Sequence, residues 1–374
     1  MGINQVIVYI MVIFMVLAAV DRCIGNKFGL GQKFEDGFNA MGSLTLSMVG
    51  IVSLAPVLAK ILKPVIVPFY TALGADPAMF ATTFLACDMG GYPLAKELAL
   101  TPEAGDFAGL ILGSMMGATI VFTIPVALGI IKKEDRPFLA KGVLAGIITI
   151  PIGCFFGGII AGYSVSMVLS NLVPIILFAV LIAFGLWKAP NGMIKGFNVF
   201  GKIVMIIATI GLAAIIVQTQ TGIVVIPGMA PLSDGITIVG NIAIMLAGAF
   251  PLVYVITKVF RKPLMKLGEL MGIGNVAAAG MVATLANDIP MIQMVKDMDD
   301  RGKVLNFAFA VSAAFVFGDH LGFAAGVNKS LIFPMIIGKL IGGVSAIFVA
   351  SFIAPKSSVK KSSTKSNNEV AQNA

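Results

Sequence analysis

Two short apolar stretches, each ending in a polar break, decide how this chain folds: ADPAMFATTFLACDMGGYP (75–93) and VAAAGMVATLANDIP (276–290). Their apolar parts, residues 76–87 and 276–287, would each reach only about 18 Å as a helix. The hydrocarbon core of a bilayer is about 30 Å thick. Both stretches therefore predict re-entrant or broken helices, which a membrane tolerates only where protein or a wet cavity surrounds the unwound backbone.

The rest of the sequence is typical of a membrane protein. Of the 374 residues, 58% are hydrophobic and 12% are charged, whereas a soluble domain carries about 25% charged residues. We predict an all-α polytopic membrane protein with about nine transmembrane helices and the two re-entrant or broken helices. The predicted long spans are 5–20, 40–62, 106–131, 138–162, 169–187, 197–217, 235–259, 303–327 and 330–353.

The positive charge of the chain indicates membrane orientation rather than nucleic-acid binding. Its net charge is +8, and the lysines lie mainly in short loops beside apolar spans. If both short segments return to the side from which they came, most of these loops lie on one side, as the positive-inside rule requires. We therefore predict that the N-terminus lies outside and the C-terminus inside the cell.

The two short segments also resemble each other. Leu85-Ala86-Cys87-Asp88 aligns with Leu285-Ala286-Asn287-Asp288, and each is flanked by two long spans on both sides. Inverted repeats with broken helices that meet near the membrane midplane are typical of secondary transporters. The predicted divisions are a first membrane repeat (1–162), a linking transmembrane helix (163–196), a second inverted repeat (197–354) and a disordered cytoplasmic tail (355–374).

Ionisable residues within the membrane are costly and usually functional. At the two breaks, freed carbonyl oxygens and the negative C-terminal ends of helices favour a cation. A carboxamide can both donate and accept, so it could bind a hydroxyl group of the substrate. The predicted substrate-binding residues are Asp88, Asn287, Asp288 and Asp319, and the predicted proton-relay or gating residues are His320 and Lys339.

Each of these residues also has a purely structural interpretation. The aspartates at the breaks could only bond the exposed backbone amides, and His320 could only pack between helices. Asp319 and Lys339 lie at similar predicted depth and could form an ion pair. The three cysteines (Cys23, Cys87 and Cys154) are widely spaced, so we predict neither a metal site nor disulfides, and we predict no cofactor and no catalytic residue.

Several long strings resemble the ethanolamine utilisation permease family (EutH), over about residues 1–354. The strings are MGINQVIVYIMVIFMVLAAVDR (1–22), ADPAMFATTFLACDMGG (75–91), GLILGSMMGATIVFTIPVALG (109–129), AAAGMVATLANDIP (277–290), GDHLGFAAG (318–326) and FPMIIGKLIGG (333–343).

The resemblance implies ethanolamine uptake across the bacterial cytoplasmic membrane, with the substrate passing to a cytoplasmic ethanolamine-degrading lyase. We expect a carrier with alternating access, and the sequence is compatible with a homo-oligomer. An ethanolamine channel remains an alternative. A less favoured alternative is an intramembrane aspartyl hydrolase, because Phe317-Gly318-Asp319 only partly matches the Gly-x-Gly-Asp signature and Val316 replaces its first glycine. A receptor or scaffold is disfavoured because the chain has no large soluble domain.

Overall fold

The computed structural model describes residues 2–356. The predicted disordered tail, 355–374, lies outside this range except for its first two residues. Within the range, every regular element is a helix. The helices are α1 (Ile3–Cys23), α2 (Leu30–Ala72), α3 (Ala78–Phe84), α4 (Tyr92–Leu98), α5 (Pro102–Ile130), α6 (Lys133–Ile160), α7 (Val165–Lys188), α8 (Pro190–Thr221), α9 (Leu232–Leu270), α10 (Asn275–Ala286), α11 (Asp288–Met294), α12 (Asp300–Ala313), α13 (Asp319–Val327) and α14 (Ile332–Ile353).

Among the described helices, eight are long and apolar enough to cross a membrane: α1, α2, α5, α6, α7, α8, α9 and α14. Large apolar side chains such as Leu17, Leu181 and Ile206 lie on the outer surface of α1, α7 and α8, with half or more of their area exposed. A soluble protein rarely exposes so much contiguous apolar surface. The predicted all-α, polytopic membrane fold is confirmed.

Both short apolar segments are broken helices, as predicted. The first ends at Phe84, and Leu85 and Ala86 are extended before the chain turns into α4. The second ends at Ala286, and Asn287 is extended before α11. These breaks leave backbone groups without intrahelical partners, so they must lie inside the protein.

The span predicted at 303–327 is not continuous. It consists of α12 and α13, which are separated by an unwound segment at residues 314–318. Phe315 adopts a positive φ of 63° there. The amides of Phe315 and Phe317 donate to the carbonyls of Thr284 and Leu285, at 3.1 and 2.9 Å. The third break is therefore stabilised by the second, because each supplies hydrogen-bond partners that the other has lost.

Two reciprocal contacts join helices of the two predicted copies. A Cβ atom added to Gly50 of α2 would lie 1.9 Å from the carbonyl oxygen of Ala208 in α8. A Cβ atom added to Gly248 of α9 would lie 2.3 Å from the carbonyl oxygen of Met11 in α1. The first helix of each predicted copy thus packs against the second helix of the other copy. The residue boundaries of the two copies stay a prediction.

We expect Gly50→Ala and Gly248→Ala to destabilise the protein by about 1–3 kcal/mol each, because the added methyl group overlaps a backbone carbonyl. Two glycines of the same helices, Gly42 and Gly240, have no atom within 4 Å of an added Cβ. Gly42→Ala and Gly240→Ala should be neutral or stabilising, since alanine favours a helix by roughly 0.5–1 kcal/mol. The apparent melting temperatures of the detergent-purified variants test this. Equal stability of all four variants would contradict the close packing.

Candidate functional site

A cavity of about 160 Å³ lies where the first break, the third break and two long helices meet. A water molecule occupies about 30 Å³ in the liquid, so the cavity can hold a few waters or one small organic molecule. Its lining residues are Ser43, Leu44, Ser47, Ala86, Asp88, Met89, Ala118, Phe122, Phe315, Asp319 and His320.

The long helices that border the cavity contain π-helical turns. In α2 these turns span Thr45–Val49, and in α5 they span Phe107–Gly117 and Thr119–Thr123. A π-helical turn has a wider hydrogen-bonding pattern than an α-helix and is frequent at functional sites. The cavity residues Ser47 and Phe122 lie within these π-helical turns.

Two carboxylates face the cavity. Asp88 lies in the turn Cys87–Gly91, in which Gly90 has a φ of 88°. A side chain at Gly90 would also collide with Ile51, whose Cγ2 atom lies 2.1 Å from an added Cβ. Asp319 is the first residue of α13, directly after the third break. The two breaks therefore bring together two acids that are far apart in sequence.

The other polar groups of the cavity are mainly hydrogen-bond acceptors. The hydroxyl of Ser43 donates to the carbonyl of Ala40 at 2.9 Å, and that of Ser47 donates to the carbonyl of Leu44 at 3.3 Å. Each hydroxyl uses its only proton in this way, so its oxygen can still accept. The cavity therefore suits a ligand that is rich in donors.

Aromatic rings complete one wall of the cavity. The rings of Phe122 and Phe315 meet edge to face with centroids 5.5 Å apart, and the Phe315 ring lies 5.2 Å from that of His320. Aromatic faces attract cations. Sequence reasoning missed both phenylalanines, because nothing distinguishes them from the other apolar residues of a membrane span until the third break is known.

Asp288 has a different environment from Asp88, although the two match in sequence. Its side chain is fully buried, and its Oδ2 atom accepts a hydrogen bond from the Thr123 hydroxyl at 2.7 Å. Its Oδ1 atom has no hydrogen-bond partner. Asp288 is not among the residues that line the cavity. The structure thus separates an acid of the first break that faces the cavity from a fully buried acid of the second.

Asn287 is placed as a helix cap. Its side-chain oxygen accepts a hydrogen bond from the amide of Ile289 at 2.8 Å, at the beginning of α11. Such a cap stabilises a helix by about 1 kcal/mol. Asn287 does not line the cavity, so this geometry favours a structural role over the predicted contact with a substrate hydroxyl.

Lys339 is fully buried, and its ammonium donates to the carbonyl of Ser114 in the π-helical part of α5. Within the described part of the chain, no carboxylate oxygen lies within 4.0 Å of this ammonium. The alternative that Lys339 and Asp319 form a direct ion pair is therefore not observed. Lys339 still lies in electrostatic range of Asp88 and Asp288.

Acidic groups outnumber basic groups around the cavity. Asp319 interacts electrostatically with both Asp88 and Asp288, so three acids lie near one another. Lys339 supplies at most one positive charge to these acids. His320 adds no hydrogen bond, because its Nε2 atom lies 4.0 Å from Asp88 Oδ2 and its buried Nδ1 atom has no partner. The arrangement favours an added cation.

The capping role of Asn287 can be separated from substrate recognition. We expect Asn287→Ser to keep the cap and leave function and stability close to those of the wild type, since a serine oxygen can accept the same amide. Asn287→Ala should lower the apparent melting temperature, as expected for a loss of about 1 kcal/mol. A function lost in Asn287→Ser, with unchanged stability, would instead show that the carboxamide binds substrate.

Comparison with known proteins gives a consistent relationship. The family model described as "Ethanolamine utilisation protein, EutH" matches residues 3–353. The chain is 68% identical, over the full length of both proteins, to a probable ethanolamine permease EutH of Listeria monocytogenes. It is 53% identical to the protein of the same name from Salmonella typhimurium, over 95% of this chain and 97% of that protein.

A third relative is an uncharacterised protein, YxeR, of Bacillus subtilis. It is 55% identical over 96% of this chain and 98% of its own length. No solved structure matches the chain. Because the family model covers almost every residue and relatives of more than half identity extend over nearly the whole length, the chain belongs to the EutH family of ethanolamine utilisation proteins.

Proposed function

We propose that this protein takes up ethanolamine across the bacterial cytoplasmic membrane and binds its protonated form in the cavity between Asp88 and Asp319. The observation that carries the proposal is a small, acceptor-rich cavity with two acids and two aromatic rings. Two relatives that match nearly the whole chain are named as probable ethanolamine permeases. That name places the protein among transporters rather than enzymes.

The ammonium group of ethanolamine is the part of the substrate that the cavity fits best. Its N–H groups can donate to the carboxylates of Asp88 and Asp319. A unit charge about 4 Å from a carboxylate gains on the order of 4 kcal/mol at an effective dielectric of 20. A small ligand has few other contacts to offer, so this attraction supplies much of its affinity.

The hydroxyl group and the short carbon chain of ethanolamine can contact the remaining walls of the cavity. The oxygens of Ser43 and Ser47 can accept from the substrate hydroxyl. Phe122 and Phe315 can contact the methylene groups, and they add a cation–π attraction of about 0.5–2 kcal/mol. The site would therefore discriminate against neutral alcohols, which lack the charge, and against acids, which the carboxylates repel.

We further propose a carrier that exposes this site alternately to the two sides, with the N-terminus outside and the C-terminus inside. The unwound segments at the three breaks supply backbone that can change conformation without the disruption of a whole helix. The membrane potential favours entry of a cation by about 2.3 kcal/mol per 100 mV. Delivery to a cytoplasmic lyase and a homo-oligomeric state belong to the same proposal.

We expect Asp88→Asn and Asp319→Asn to reduce ethanolamine uptake at least tenfold, because each removes a counter-charge worth more than the 1.4 kcal/mol that corresponds to a factor of ten. Glu97→Gln, at an exposed site in the last turn of α4, the helix that follows Asp88, is the matched control. The measurement is uptake of radiolabelled ethanolamine into proteoliposomes, with protein insertion checked in parallel. Wild-type uptake by both aspartate variants would show that neither acid binds the substrate.

The aromatic wall is tested separately. We expect Phe122→Leu to raise KM for ethanolamine about 2- to 30-fold, since leucine keeps apolar volume but loses the cation–π attraction of roughly 0.5–2 kcal/mol. Phe200→Leu is a matched control, because Phe200 packs near Phe84 with ring centroids 5.8 Å apart and does not line the cavity. An equal KM in both variants would argue against a contact between Phe122 and the ammonium.

The same liposomes distinguish a carrier from a channel. A carrier saturates with substrate and exchanges external label for internal unlabelled ethanolamine. A flux that rises linearly with concentration and shows no exchange would favour a channel. Imposed gradients of pH and voltage in this preparation also reveal whether the membrane potential alone drives uptake.

A further inference from the structure

Three metal-binding side chains meet beside the cavity. The Sγ atom of Cys87, a carboxylate oxygen of Asp88 and a ring nitrogen of His320 all lie within 4.8 Å of one another. Cys87 and Asp88 are neighbours in the turn after the first break, and His320 is the second residue of α13. The meeting of the first and third breaks brings them together.

None of these groups uses another as a hydrogen-bond partner. Cys87 is a free thiol that is fully buried. The Nδ1 atom of His320 is buried without a partner, and its Nε2 atom is 4.0 Å from Asp88 Oδ2, which is too far for a hydrogen bond. Buried polar atoms without partners are few in native proteins, and the binding of an ion is one way to satisfy such an atom.

The donor set indicates the class of metal. A thiolate, an imidazole and a carboxylate are the ligands of zinc, whereas magnesium and calcium prefer oxygen atoms alone. Three protein ligands leave one position of a tetrahedral zinc ion open. Asp88 and His320 line the cavity, so the open position would face the space that the substrate uses.

Charge also favours a divalent cation here. A Cys87 thiolate and the ionised carboxylates of Asp88, Asp288 and Asp319 would carry four negative charges, and the Lys339 ammonium in electrostatic range offsets one of them. A bound dication would reduce the remaining excess of negative charge.

Binding requires the three side chains to move closer together. In a tetrahedral site, Zn–S bonds of about 2.3 Å and Zn–N bonds of about 2.0 Å place two donors roughly 3.5 Å apart. The present spread of 4.8 Å therefore has to shrink by about 1.3 Å. Among the described residues, no other side chain holds the Asp88 carboxylate by a hydrogen bond, and the carboxylate faces open space, so it can move toward the other two donors.

We propose that Cys87, Asp88 and His320 bind a zinc-class transition-metal ion, and that the bound ion blocks transport because it occupies the carboxylate that receives the substrate ammonium. The metal site stands on these three residues alone, whereas the block rests on the proposed function. Excess zinc would then inhibit transport, because it would compete with the substrate for the Asp88 carboxylate.

The metal site is tested with the purified full-length protein and cobalt(II) as a spectroscopic substitute for zinc. A Cys23→Ser, Cys154→Ser variant keeps Cys87 as its one thiol. We expect cobalt to produce a thiolate-to-metal absorption band in the near ultraviolet with one ion per chain, and zinc to abolish it. Cys87→Ser in the same background should lack the band. A band that survives Cys87→Ser, or no band in either protein, would overturn the site.

The block is tested by titration of zinc against ethanolamine uptake in proteoliposomes. Cys87 does not line the cavity, so Cys87→Ser should keep basal uptake. It should also require at least tenfold more zinc for half inhibition, whereas Cys154→Ser, another fully buried free thiol, should behave as wild type. Equal inhibition of the two variants, or no inhibition of the wild type, would overturn the block. A cobalt band in a protein without ethanolamine uptake would refute the proposed function and leave the metal site intact.

Discussion

The requirement that unwound backbone inside a membrane must find hydrogen-bond partners governs this structure. Three segments leave the helical conformation, and they meet one another rather than lipid. Ala86 accepts from the amides of Met89 and Gly91 within the first break, and the third break donates to carbonyls at the end of α10. The polar residues that follow the first and third breaks are consequently gathered at the cavity. The cavity therefore results from the need of unwound backbone groups for hydrogen-bond partners as much as from side-chain chemistry.

The sequence predicts this arrangement only in part. The length of the apolar stretches and the acids that follow them reveal the first two breaks, because a segment of about 18 Å cannot cross the bilayer. The sequence does not reveal the third break, because residues 311–317 are apolar or small and are equally compatible with an unbroken helix. Its partners lie in α10, far away in sequence, so only tertiary structure shows why Phe315 leaves the helix. The aromatic wall is missed for the same reason.

The different surroundings of Asp88 and Asp288 explain why residues at corresponding positions of the two segments need not have the same role. Asp88 and Asp288 occupy equivalent places in the two similar segments, which predicts a shared function. In the structure, Asp288 receives a hydrogen bond from Thr123 and is shut off from the cavity, whereas Asp88 faces open space. Lys339, which sequence reasoning could pair with Asp319, instead binds a carbonyl that the π-helical turn of α5 presents. The hydrogen-bond or ion-pair partner of a buried residue depends on distances in the folded protein, which the sequence does not show.

This asymmetry is compatible with the proposed alternating access between two similar copies. If two copies of opposite orientation exchanged conformations, the break that is open in one state would be closed in the other. The present state has an open first break, with Asp88 at the cavity, and a closed second break, with Asp288 against Thr123. Opposite-facing states would then differ in which of the two acids meets the cavity.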